Sequence, residues 1–309
     1  MSVPAPPPPA SRLPERRRRA RRRNLTGWAF SAPYVIAFGA FMALPILASL
    51  AMSLTDFQAR DIRSPFAVDF VGIAQYSDLL TDAAFWQSLG VTGLFIVMAL
   101  PITMTVAMLL ALGLNTGRGA LVSIFRVGFY APVVTSLVAV SVSWRYILQP
   151  DGLLNQALAL VGIDGPNWLA DPAFALPALV MMAVWRTVGT LMIIFLAGLQ
   201  SIPSDVHEAA LVDGASALRR TFSVTLPMLR PTLLLGAVLV TIGYVQFFEE
   251  AFVMTQGGPL GTTRSAVYYT FQEFGYGHFG TASAASYILF LIIALLALLQ
   301  FRLFRTSED

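Results

Sequence analysis

Four ionisable side chains stand inside long apolar runs of this sequence: Arg145, Arg186, Glu249 and Glu250. A charge at the centre of an apolar span costs ~2.5–3.5 kcal/mol on insertion scales, so such groups usually face a cavity, a water-filled path or a partner. Arg145 is near one end of its run, where its stem can carry the guanidinium to the interface or to Asp151. Arg186 and the two glutamates are more central. Guanidinium and carboxylate groups bond strongly to hydroxyls, which suits a polyhydroxylated solute. An Arg186–Glu249 or Arg186–Glu250 pair that only stabilises a helix bundle fits the same residues.

A second informative stretch is polar, from Ser201 to Ala215. Ser204 or Asp205 is placed to cap a short helix, and Glu208 follows Asp205 by three as in a capping box. Asp213-Gly214 then supplies a turn, so the stretch reads as helix, turn, helix. Ala209 and Ala210 keep the first helix thin, a shape that fits a groove on another protein. An ordinary capped loop helix is the plain alternative.

Other chemistries are excluded by what the chain lacks. There is no Cys, hence no disulfide, thiolate metal site or thiol nucleophile. All 20 basic residues are Arg, so a phosphate-binding loop ending in Lys cannot be built. The two histidines, His207 and His278, lie outside the apolar runs and form no hydrolytic or metal-binding set; His278 reads as a surface polar residue. We expect no catalytic residue, no metal ligand and no cofactor bound by this chain.

The elements that position these groups follow from composition. With 56% hydrophobic and 12% charged residues over 309 positions, the chain cannot present an ordinary polar surface to water; its main solvent is lipid. Apolar runs near the ~20 residues that cross a bilayer occur at about 28–54, 89–113, 121–147, 175–199, 231–254 and 281–303, predicting an all-α polytopic membrane protein with six spans. Pro33, Pro45, Pro101 and Pro132 fall inside them, and kinks rather than breaks are expected. Residues 1–24, with Pro6 to Pro9 and the arginines at 16–19 and 21–23, read as a disordered cytoplasmic tail that anchors on anionic lipid and binds no nucleic acid. Residues 25–309 read as the membrane domain, and the apolar stretch from Leu25 to Leu54 exceeds the ~7–15 residues of a signal-peptide core. Arginines gather on the side that holds both termini, including Arg118, Arg126, Arg219, Arg220, Arg230, Arg302 and Arg305, against Arg60, Arg63 and Arg264 on the other. Both termini are therefore expected in the cytoplasm. The outer loops, with Phe70, Tyr76, Phe85, Trp86 and Trp168, predict short interfacial helices.

Glu208-Ala209-Ala210, Asp213-Gly214-Ala215 and Leu226-Pro227 together resemble the loop by which bacterial ABC-importer permeases dock on their ATPase. Trp144-Arg145, Asn167-Trp168-Leu169, the run Ala197 to Pro203 and the run Met254 to Pro259 resemble the carbohydrate branch, the maltose and glycerol-phosphate permease type. The likeness extends from about Trp28 to Phe304; His207 departs from it, since many relatives carry an aromatic there. What it implies is the ABC type I importer permease fold in the bacterial inner membrane, with a coupling loop at about 200–230. It further implies a second permease, two ATP-binding subunits carrying ATP and Mg, and an extracytoplasmic solute-binding protein. Glu208, Ala209, Ala210, Asp213 and Gly214 would form the docking helix and its turn. By register with the maltose permeases, Arg186, Thr187, Thr190, Tyr244, Phe247 and Glu249 fall on the sugar path, with Glu250 beside them. In a regular helix Gly243, Gln246, Phe247 and Glu250 share a face and Glu249 does not, so Glu249 requires local unwinding. The resemblance implies a sugar importer; the alternatives are an ABC permease for glycerol phosphate or another anion, with Arg186 on the phosphate, and an ion-gradient carrier.

Overall fold

The computed structural model describes residues 28–64, 68–117 and 119–304; the tail at 1–24 lies outside them. Among the described residues the structure is helical, with one isolated antiparallel bridge between Thr55 and Phe70. The chain divides into two compact units, with the boundary between Met52 and Ser53. Helix α1 (Trp28–Ser53) accounts for the described part of the first unit. It contains Pro33 and Pro45 without breaking. A π turn at Gly39–Ala43, in which the Leu44 amide donates to Gly39, lies just before Pro45 and takes up the missing donor.

The second unit holds α2 (Ala74–Thr81), α3 (Ala83–Thr116), α4 (Ala120–Tyr130), α5 (Leu137–Ile147), α6 (Leu153–Ala159) and α7 (Ala175–Gln200). It continues through α8 (Ser204–Val212), α9 (Ala217–Met228), α10 (Arg230–Val245), α11 (Ala266–Gly275) and α12 (Phe279–Phe304). Helices α1, α3, α7 and α12 are each long and apolar enough to cross a bilayer. Two further helix pairs pass the same test only together and are bent; if each pair is one span the number reaches six, with the third and fifth broken rather than straight.

The third expected span, 121–147, bends by 100° between Val134 and Leu137, which corrects the expectation of a kink at Pro132. The Ala131–Val134 segment tightens into a 3-10 turn, Thr135 becomes extended, and its hydroxyl donates to the Pro132 carbonyl at 2.6 Å. Ser136 then restarts the helix by accepting from the Ala139 amide. Proline without a donor followed by two hydroxyl residues that bond locally gives the chain a route out of the helix. In the fifth span, α9 meets α10 at 69°, and α10 stops at Val245, short of the expected 254. Pro101, by contrast, stays inside α3.

The core forms where α3 lies along α7. On α3, Phe95, Ala99, Thr103, Ala107 and Ala111 recur every four residues, and all are fully buried. Three alanines in that stripe let the neighbouring backbone come close, as small residues do in membranes. Opposite them α7 contributes Leu179, Met182, Leu191, Met192 and Phe195. Two glycines set the spacing of α7: a Cβ on Gly189 would stand 2.1 Å from the Phe129 carbonyl oxygen, and one on Gly236 would meet Leu191 and Phe195. Helix α12 packs on α10 and α11. Facing outward, Val97, Leu109, Phe290 and Leu295 are more than half exposed, a surface that only lipid or another apolar chain accommodates.

The Gly189 contact is backbone against backbone and cannot be relieved by a rotamer. Gly189→Ala is expected to lower the thermal midpoint of the purified protein, at an overpacking cost of ~1–3 kcal/mol. Gly93→Ala on α3, where no atom lies within 4 Å, should leave it nearly unchanged. Equal behaviour of the two variants would refute the tight α7 packing.

Candidate functional site

A cavity of about 290 Å³ opens between the bend of the third span, the middle of α7 and the end of α10. Arg186, Thr187, Thr190, Tyr244, Phe247, Glu249 and Glu250, the seven residues expected on a solute path, all line it. Gln246 and Gly243 line it too, as do Val133 and Leu137 from either side of the break in the third span. The last two were not anticipated, because the run around Pro132 read as one helix; the Pro-x-x-Thr-Ser sequence was the available signal.

Glu249 and Glu250 share this cavity because the helix unwinds. After Val245, residues 246–248 leave the helical path, and helix resumes at Glu249 with a π turn at Ala251–Thr255. The register break brings round the side chain that a regular helix would point elsewhere. Unwinding inside a membrane leaves carbonyls without partners, and each must be satisfied. Here the Ser265 hydroxyl donates to the Phe247 carbonyl at 2.7 Å while accepting from the Tyr268 amide at 3.0 Å, as the N-cap of α11. The next amide, Ala266, donates to the Thr92 hydroxyl of α3 at 2.9 Å. One buried serine thus closes both the broken turn and the start of the following helix.

The aromatic rings in the wall are largely committed to the protein. Phe247 stacks on Phe95 with centroids 4.0 Å apart and planes 10° apart, and Tyr244 meets the edge of Phe95 at 5.3 Å. The Tyr244 hydroxyl lies 2.7 Å from that of Thr103, in the middle of the α3 stripe. What the wall leaves open is mixed: Thr190, Gln246 and Glu249 are exposed, and so is the apolar Leu239. No ion pair joins Arg186 to either glutamate. Among the described residues the ion pairs are Arg60 with Asp56 and Asp61, and His278 with Glu273 at 2.7 Å, so His278 is held rather than free. Arg145 is exposed at the end of α5 and makes no pair with Asp151.

The polar stretch after α7 is helix, turn, helix. Its start differs from expectation: Pro203 occupies the N-cap, Ser204 and Asp205 are already in the first turn, and no side chain caps the helix, so no capping box forms. The helix end is better fixed. Gly214, at φ +71°, donates to Leu211, and Ala215 donates to Ala210, both at 3.0 Å, the two bonds of a Schellman motif. Glu208, Ala209, Asp213 and Gly214 are exposed, and Ala210 is buried. Leu211, Val212, Leu218 and Phe222 are exposed in the same stretch, so it presents apolar side chains among the charges of Asp205, Glu208, Asp213 and Arg219.

On the other side of the spans, Asp82 caps α3 by accepting from Ala84 and also accepts from the Tyr269 hydroxyl at 2.5 Å. Burial, and then that bond to Asp82, push the Tyr269 phenol well above its ordinary value, so it stays a donor. Arg264 donates to the Ala84 carbonyl and lies over the Tyr269 ring. The segment Leu260 to Arg264, which follows the run Met254 to Pro259, is therefore tied to the start of α3, where Gln87 also donates to the Leu260 carbonyl. Among the short helices between the long ones, α6 is pinned by the Trp168 indole, which donates to Asn155 at 2.6 Å.

Ser265→Ala should leave the Phe247 carbonyl buried without a donor, at ~1–3 kcal/mol. The expected result is a lower thermal midpoint of the purified protein, restored by Ser265→Thr, which keeps the hydroxyl. A midpoint equal to that of the unmodified protein would show that the broken turn does not depend on this bond.

The family model described as binding-protein-dependent transport system inner membrane component matches residues 25–307. A probable ABC transporter permease of Bacillus subtilis, YesP, is 37% identical, over 93% of this chain and 92% of its own. The lactose transport system permease LacF of Rhizobium radiobacter is 35% identical over 91% and 94%. The trehalose/maltose transport system permease MalF of Thermococcus litoralis is 33% identical over 87% and 90%. A chain of a bacterial alginate ABC transporter, solved with an alginate pentasaccharide-bound periplasmic protein, superposes with a TM-score of 0.78 at 21% identity, covering 92% of this chain and 95% of that one. The cavity on broken helices, the helix-turn-helix loop and these matches lead to one assignment: the chain belongs to the binding-protein-dependent transport system inner membrane components, and is a multi-pass, non-catalytic ABC transporter permease.

Proposed function

We propose that this chain forms half of the path of an ATP-driven importer for a sugar or sugar derivative. The observation that carries the reading is the cavity at the unwound turn, where Arg186, Thr187, Thr190, Gln246, Glu249 and Glu250 converge within apolar helices. Donors and acceptors in such numbers suit a solute rich in hydroxyls. The lactose and trehalose/maltose permeases among the relatives support the same class. A second permease completes the path, two ATP-binding subunits below hold ATP and Mg, and a solute-binding protein delivers from outside. The alginate transporter, solved with its periplasmic protein, is the parallel for that last partner. The excess of arginine on the side of the termini and the 200–230 loop supports a cytoplasmic position for both.

In this reading α8, with Glu208, Ala209, Ala210 and the Asp213-Gly214 turn, docks on the ATPase. The exposed Leu211, Val212, Leu218 and Phe222 are then the surface that the ATPase covers. Nucleotide-driven closure moves α8, and the spans rock between inward and outward access. An ion-gradient carrier would need no such surface and no second protein.

Two variants test the reading. Glu208→Ala, and Gly214→Val at its left-handed backbone position, should each lower recovery of an ATPase with this chain, and sugar uptake, by roughly tenfold (about 1.4 kcal/mol). Membrane insertion should be unaffected. Normal ATP-coupled uptake in both would remove α8 as the docking element, and purification of the chain with no ATPase and no nucleotide dependence would favour the carrier.

A further inference from the structure

The charges in the cavity wall are three: the Arg186 guanidinium and the carboxyl groups of Glu249 and Glu250. Their arrangement is unusual for membrane-buried charges, which ordinarily pair. Neither glutamate lies within ion-pair distance of Arg186. Glu250 is 7% exposed, and its Oε2 has no hydrogen-bond partner; the Nε of Arg186 is likewise buried and unpartnered. Glu249 is exposed to the cavity. The wall thus holds acceptor and donor capacity that the protein does not consume.

We infer that Glu249 and Glu250 select the solute by charge, admitting neutral or amino sugars and rejecting sugar acids and phosphate esters. The inference rests on the reading of this cavity as the sugar path. Two carboxylates against one guanidinium make this half of the wall net negative when both are ionised, and neutral when Glu250 carries a proton. In neither state is it net positive, as an anionic solute requires. Carboxylate oxygens accept only, so they favour a solute that donates, through hydroxyl or ammonium groups. Like charges brought together in a water-poor cavity oppose binding far more than they do in water. Specificity by repulsion also explains two adjacent acids where one acceptor would bind a hydroxyl. The fold itself does not dictate this choice, since a transporter of similar architecture carries acidic alginate.

The test is binding of four small probes to the purified transporter complex in lipid nanodiscs without its solute-binding protein: glucose, glucosamine, glucuronate and glycerol 3-phosphate, read by saturation-transfer NMR with mutual competition. We expect glucose and glucosamine to bind and both anions to be at least ~10-fold weaker, a difference of about 1.4 kcal/mol. Glu249→Gln, at an exposed position, should narrow the gap between glucuronate and glucose and weaken glucosamine; Glu250→Gln should do the same. Glucuronate or glycerol 3-phosphate binding as well as glucose to the unmodified complex overturns the inference and leaves the sugar path standing. So does an unchanged ratio in Glu249→Gln. Absence of binding by all four overturns the sugar path itself, and the inference with it.

Discussion

A backbone carbonyl in a membrane interior has no water to turn to, and this constraint governs the fifth span. The chain leaves the helix at Gln246 to Phe248, exposing backbone groups where lipid cannot satisfy them. It can do so because Ser265, fully buried at the head of α11, donates to the Phe247 carbonyl. Around that bond the neighbouring parts fall into order. Thr92 of α3 receives the next amide, and Phe95, one turn further along α3, stacks on the Phe247 ring. The cavity exists because a break in one helix is closed by the cap of another.

The walls opposite the break are held differently, by closeness rather than by polar bonds. The α3 stripe places a small or slender residue at four of its five levels, and Thr103, its single polar member, carries the bond to Tyr244. Gly189 brings α7 against the Phe129 carbonyl just where the third span turns by 100°. Arg186, Thr187 and Thr190 flank that contact on α7, so the polar residues that α7 gives to the cavity are fixed by a close backbone approach. The polar groups of the wall and the packing of the core therefore draw on the same few contacts, and burying such groups is costly unless each finds a partner.

Much of this was legible in the residues. Ionisable groups inside apolar runs marked the cavity, because the penalty for burying them is large and few explanations survive it. The Asp213-Gly214 turn was legible because a left-handed backbone position favours glycine. The helix starts were not: Ser204 and Asp205 look like caps, yet Pro203 takes that place and the helix begins one residue early. Nor was the break in the third span, since proline inside a membrane helix is as often tolerated, as at Pro101, as it is decisive. Nor was the stacking of Phe95 on Phe247, which joins two segments distant in the chain. Local patterns report what a residue needs; they do not report which neighbour arrives first.

The joint between α7 and α8 has a mechanical consequence. Only Ser201, Ile202 and Pro203 separate the two helices, and the Ser201 and Ile202 amides still donate back to α7. The far end of α8 is clamped by the Gly214 and Ala215 bonds. Such a short, doubly fastened element bends little, so a push on it is passed on as torque. Arg186 lies fourteen residues up α7 from Gln200, or roughly 21 Å at 1.5 Å per residue. Over that lever arm, each degree of tilt about the Gln200 end shifts the cavity wall by roughly 0.4 Å. Ten degrees is then enough to exchange one hydrogen-bond partner for another.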